Sequence, residues 1–94
     1  MAVNYTGFSS APQLVTKVTY DPTSVSANSI SAQSITVPGV IPDMHFIVTA
    51  PSLSANLGIA GAYCTTAGTL VVKFTNPTGS PVDDVSQTFY ILGL

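Results

Sequence analysis

No stretch of about a dozen residues in this chain repeats apolar positions at helical spacing, and seven prolines interrupt the places where a helix would have to run. Its alanines stand beside Gly and Ser rather than in periodic runs. A chain punctuated in this way has to build its core from strands, whose side chains alternate between two faces. That excludes the parallel α/β architectures, which need a helix between successive strands.

Alternation begins at Leu14–Tyr20, where Leu14, Thr16, Val18 and Tyr20 share one face and Val15, Lys17 and Thr19 the other; Asp21-Pro22 ends the run as a turn. Residues 24–31 are polar around Val25 and Ile30 and fit either a loop or a short edge strand. Gln33–Val37 alternates again, with Ile35 and Val37 on one face, and stops at Pro38-Gly39, a turn dipeptide whose glycine can take positive φ. Met44–Ala50 sets Met44, Phe46 and Val48 against His45, Ile47 and Thr49, and Pro51 cannot extend a central strand. Pro51–Leu57 reads as a loop or one helical turn.

Ile59–Thr65 reads as a strand of small residues, with Gly58 and Gly61 expected to let another backbone or an aromatic ring approach closely. A hairpin loop at Thr66-Ala67-Gly68 leads into Thr69–Thr75, the most β-prone run, with Leu70, Val72 and Phe74 on one face and Val71 and Lys73 on the other. After the turn-rich segment 76–81, Gln87–Leu92 places Phe89 and Ile91 opposite Thr88, Tyr90 and Leu92. The expectation is an all-β chain: an antiparallel β-sandwich or jelly-roll of roughly six to eight short strands. Residues 1–12 lack alternation and are expected to form an extended N-terminal arm ordered against a partner, with residues 13–94 forming a single β-sandwich domain.

Composition then narrows function. Charged residues make up 6% of the chain, against roughly 25% in an ordinary soluble domain, and there is no arginine and no glutamate. Short hydroxyl side chains finish the surface without the rotamer entropy that Lys and Glu lose at a contact, which suits permanent assembly. With Lys17 and Lys73 as the only fixed cations, the chain cannot neutralise a run of phosphates, so nucleic acid is not an expected partner. No apolar run approaches the ~20 residues that span a bilayer, and the first residues lack the basic and apolar regions of a signal peptide. Synthesis in a cytoplasm, without a membrane partner, is expected. Cys64 is the only cysteine, so no intrachain disulfide can form; its apolar surroundings predict a buried, inert thiol.

Chemistry is equally sparse. His45 is the only histidine and has no Cys or Glu at ligand spacing, so neither a metal site nor a two-imidazole mechanism is expected. A set of Asp43, His45 and a serine arises by chance in a serine-rich chain and has no nucleophile-elbow context. Asp83-Asp84 could bind Ca²⁺ or cap a neighbouring segment, but it falls short of the oxygen cage that Ca²⁺ needs and reads best as a solvated acidic turn. No enzyme activity, cofactor or small-molecule substrate is expected. The apolar residues on both faces of several strands exceed what so small a sandwich hides, so some must meet another chain. Tyr5, Phe8, Tyr20, Tyr63 and Tyr90 are the candidate interface residues, although a tyrosine with a bonded hydroxyl can equally belong to a core.

Ile35-Thr36-Val37-Pro38-Gly39-Val40, Phe46-Ile47-Val48 with Pro51-Ser52-Leu53, Leu57-Gly58-Ile59-Ala60-Gly61-Ala62, and Val72-Lys73-Phe74-Thr75-Asn76-Pro77-Thr78 occur in an order that resembles small structural proteins of tailed bacteriophages. Among these it is similar to the head decoration, or cement, proteins. The resemblance covers about two thirds of the chain and rests on the spacing of strands and turn residues. It implies a jelly-roll or related sandwich that forms a homotrimer on the capsid surface of the virion, binds the major capsid protein and is made in the host cytoplasm. A receptor- or glycan-binding module of a phage tail or fibre is the alternative, since the same tyrosines could stack on sugars.

Overall fold

The alternating runs become strands in a computed structural model that describes residues 14–94. In chain order they are β1 (Leu14–Tyr20), β2 (Ser29–Thr36), β3 (Phe46–Thr49), β4 (Gly58–Thr66), β5 (Thr69–Asn76) and β6 (Gln87–Gly93). They form two antiparallel three-stranded sheets, ordered β1-β6-β3 and β2-β5-β4, and no helix occurs among the described residues. The result is a β-sandwich. Residues 14–94 supply six strands, whereas a jelly-roll uses eight. The arm expected over residues 1–12 lies outside the described residues.

The two central strands, β5 and β6, carry the largest fully buried side chains, because only a central strand is covered by neighbours on both edges. Leu70, Val72 and Phe74 of β5 and Phe89 and Ile91 of β6 are buried, and Phe74 meets Phe89 edge to face across the sandwich, with centroids 5.9 Å apart and planes at 80°. Tyr20 adds a second edge contact to Phe89 at 6.0 Å. Each fully buried Phe contributes about 1.5–3 kcal/mol relative to exposure, and each edge contact about 0.5–1.5 kcal/mol more.

One connection is a tight hairpin. β4 turns into β5 through Ala67-Gly68, where Gly68 takes φ +86°, a conformation open to glycine at little cost. The tip is tied to the Pro38-Gly39 turn: Val37 N–H donates to Gly68 O at 2.9 Å and Gly68 N–H donates to Val40 O at 2.9 Å. Gly39 has φ +99°, as its place in the turn predicts. The remaining connections pass from one sheet to the other.

Two of these crossings are joined by buried polarity. Val25 and Val82 exchange backbone hydrogen bonds of 2.9 and 3.0 Å, linking the β1–β2 and β5–β6 connections. Asn76, only 1% exposed, then donates through Nδ2 to the carbonyls of Val25 (3.0 Å), Ser26 (3.2 Å) and Ser80 (2.8 Å). Its Oδ1 accepts from the backbone N–H and the hydroxyl of Thr78 at 2.9 and 2.7 Å.

The differences from the sequence reading are local. The ambiguous segment 24–31 divides: Val25 is a buried bridge residue, and Ser29 begins β2, which runs on through Thr36 as one strand. Asn28, with φ 52°, makes the bend before it, a conformation that Asn tolerates better than most residues. Residues 51–57 form turns without a helix. The close neighbour at Gly58 is a hydroxyl rather than a backbone or a ring, since a Cβ there would lie 2.8 Å from Thr75 Oγ1, and Gly61 has open space around it; the register shift between Ile59 and Gly61 leaves Ala60 unpaired and keeps Gly61 opposite Lys73 of β5.

Candidate interaction surface

The outer face of sheet β1-β6-β3 is built from the residues that alternate with the core positions. Register places them in rows across the sheet: Val15, Leu92 and Ile47 in one, Lys17, Tyr90 and Thr49 in the next, then Thr19 beside Thr88. The rows grade from aliphatic through a tyrosine flanked by a cation and a hydroxyl to hydroxyl alone. Val15 is 74% exposed, Ile47 52% and Tyr90 47%, with Leu92 half-buried between them. A hollow of about 260 Å³ runs beside Val15, Ile47, Tyr90 and Leu92. A second hollow of about 480 Å³, also beside Tyr90, is lined by Pro51, Ser52, Val85, Ser86 and Thr88.

The candidate tyrosines separate by position. Tyr20 lies on the inner face, packed against the core, and its hydroxyl donates to Gln33 Oε1 at 2.8 Å. Burial, reinforced by the Asp21 charge, raises its pKa above the usual tyrosine value. Tyr63 stands on the outer face of the other sheet with the Lys73 ammonium 5.5 Å from its ring centroid. Tyr90 is the one surrounded by exposed aliphatic side chains. Tyr5 and Phe8 lie outside the described residues. Sequence reading did not single out Val15, Ile47 and Leu92; their alternation was visible, but the register that sets them side by side was not.

The titratable side chains are dispersed. His45 is exposed beside the end of β3, where its backbone exchanges hydrogen bonds of 3.2 and 2.8 Å with Leu94. Cys64 is buried, with Sγ 3.1 Å from Thr66 O. Asp84 accepts from Ser54 N–H (2.7 Å), Val85 N–H (2.8 Å) and Gln87 Nε2 (3.0 Å), so it caps the β3–β4 connection against the strand that follows. Burial pushes its pKa up, but the three hydrogen bonds outweigh that and hold it below the usual carboxylate value. Gln87 Oε1 is buried without a partner among the described residues. No three His, Cys, Asp or Glu side chains converge among the described residues, and those residues contain no helix long and apolar enough to cross a membrane.

Compared with known proteins, the chain shows no significant match to a family model, a curated protein or a solved structure.

Proposed function

We propose that this chain is a virion structural protein, a decoration or cement protein that binds the outer surface of a tailed-phage head and stabilises contacts between major capsid subunits. The observation that carries the reading is the aliphatic row Val15, Leu92 and Ile47 beside Tyr90 on an otherwise hydroxyl-rich, charge-poor surface. Exposed apolar area grouped around an aromatic residue and rimmed by polar side chains marks a protein contact. Tyr90 is the anchor in this reading, with Val15, Ile47 and Leu92 excluding water around it. The role involves no catalytic step, cofactor or small-molecule substrate.

Rebinding to heads depleted of this chain tests the proposal. Wild-type protein should bind, and Tyr90→Ser combined with Ile47→Ser should weaken binding by about tenfold or more while leaving the circular dichroism melt unchanged. Wild-type protein that fails to bind, or a double variant that binds as well, would count against it.

A second reading rests on the hollow at Pro51, Ser52, Ser86 and Thr88, which sets hydroxyl groups beside the exposed Tyr90 ring. An aromatic plane flanked by hydroxyls suits a sugar, so a tail or fibre module that binds glycans is the rival function. A glycan array on which Tyr90→Ser abolishes a wild-type signal would favour it; an array without signal would remove it.

A further inference from the structure

Among the described residues the sandwich has four edge strands, and they are not equally protected. Val37 N–H donates to Gly68 O in continuation of the register that sets Thr36 opposite Thr69. Bonded and non-bonded pairs alternate along an antiparallel ladder. Ser29, Ser31, Gln33 and Ile35 therefore turn their N–H and C=O groups to β5, and Ile30, Ala32, Ser34 and Thr36 turn theirs to the free edge. Among the described residues, no backbone hydrogen bond from a turn or loop reaches those four.

The other edges carry the features that discourage pairing. On β1, the Leu94–His45 bonds fix by the same alternation that Val15, Lys17 and Thr19 face the free edge, with a lysine at the centre. β3 is four residues long and is closely followed by Pro51. β4 is broken by register shifts between Ile59 and Gly61 and between Tyr63 and Thr66. β2 alone is long, without charge or proline, and in unbroken register over eight residues.

We propose that β2 is a self-pairing edge: two copies of this chain join β2 to β2, antiparallel about a two-fold axis, and merge their β2-β5-β4 sheets into one. The occupant is a second copy because a two-fold axis beside an edge strand sets that strand's own charges near their duplicates. That would bring Lys17 against Lys17 if β1 paired with itself, and brings no charge together at β2. In the register of greatest overlap, Ile30 faces Thr36 of the other copy and Ala32 faces Ser34, so β-branched meets β-branched and small meets small. Each such pair exchanges two backbone hydrogen bonds, about eight in all. Ile30, 64% exposed beside a hollow formed with Thr75 and Pro77, gains a neighbour. Such a contact is isologous and closes at two copies, whereas the family resemblance implies three. It is independent of head binding, which uses the opposite sheet.

Sedimentation equilibrium of the full chain, without heads, tests the proposal. The wild type should give the mass of a dimer. Ala32→Lys places a charge on the outer face at the edge, and Ser34→Pro removes an outward N–H without touching a bond to β5; each should yield a monomer. Ala32 stands opposite Lys73 in the β2–β5 register, so the circular dichroism melt of Ala32→Lys is compared with wild type first, and if either variant fails to fold the other decides. The Tyr90→Ser, Ile47→Ser protein should remain dimeric, which separates this contact from the head-binding face. A wild-type monomer, a trimer, or a dimer that survives Ala32→Lys would overturn the proposal. So would a monomer that dimerises only after residues 1–13 are deleted, because the edge would then belong to the chain's own N-terminal segment.

Discussion

Replacing Asn76 should cost as much as truncating a buried aliphatic residue, although it contributes little apolar area. Its amide donates to the carbonyls of Val25, Ser26 and Ser80 and accepts from Thr78, and Val25 is itself fully buried. Asn76→Ala deletes these bonds and leaves several backbone groups without partners in a site too enclosed to hydrate freely. Leaving a buried polar group unpaired costs about 1–3 kcal/mol; with some carbonyls near the surface and able to recruit water, the sum should be about 3–4 kcal/mol. A chain of this length has a total stability of about 5–14 kcal/mol, so the melting temperature should fall by roughly 15–25 °C. Urea unfolding followed by circular dichroism measures this as a lower midpoint with an unchanged m-value. Asn76→Asp is the control: it keeps the shape and the acceptor for Thr78 but sets a carboxylate against three carbonyls, and should be at least as damaging at neutral pH. A loss below about 1 kcal/mol in Asn76→Ala would refute the reasoning, because the crossings would then not depend on this residue.

Three further outcomes follow from the packing and the charges. Phe74→Ala should lose about 3–5 kcal/mol in the same urea experiment, since the ring is fully buried against Phe89; a change of a few tenths would contradict its core position. Tyr20→Phe should lose about 1 kcal/mol, the worth of the hydroxyl bond to Gln33, and an unchanged midpoint would show that bond to be replaceable by water. Asp84 has its pKa held below the carboxylate value of 3.8, so its contribution is present in full above that pH and is lost as pH falls through the lowered value. Asp84→Asn should flatten the acid limb of the stability–pH curve, and an acid limb identical to wild type would reject Asp84 as a source of it.

The strands were legible because local alternation is the same quantity that burial reads out. Leu14–Tyr20 and the hairpin around Gly68 stand where period and turn chemistry place them. Segment 24–31 was ambiguous for a physical reason: Val25 is buried by a single bridge to Val82, a partner remote in sequence, and no local pattern reports such a contact. The same limit applies to the candidate surface. Tyr20 and Tyr90 look alike as exposed or buried tyrosines until register assigns one to Phe89 and Gln33 and the other to Ile47 and Leu92. Asn76 gives no sign in its Asn-Pro-Thr context that it spans two crossings. Cross-strand neighbourhood is a property of the folded chain, and the interaction surface consists of little else.

Strand order also sets a timetable for folding. β6 is the last strand in sequence and yet the middle one of its sheet, so β1 and β3 have no partner in that sheet until it arrives. The β4–β5 hairpin closes a short loop and can form early, and β2 can add to it before β6 is present. Half of the sandwich is therefore assembled from local and middle-range contacts, and the other half waits on pairing between the two ends of the described chain, the slow kind of contact to make. A lesion in β6 would therefore deprive both outer strands of that sheet of their partner at once.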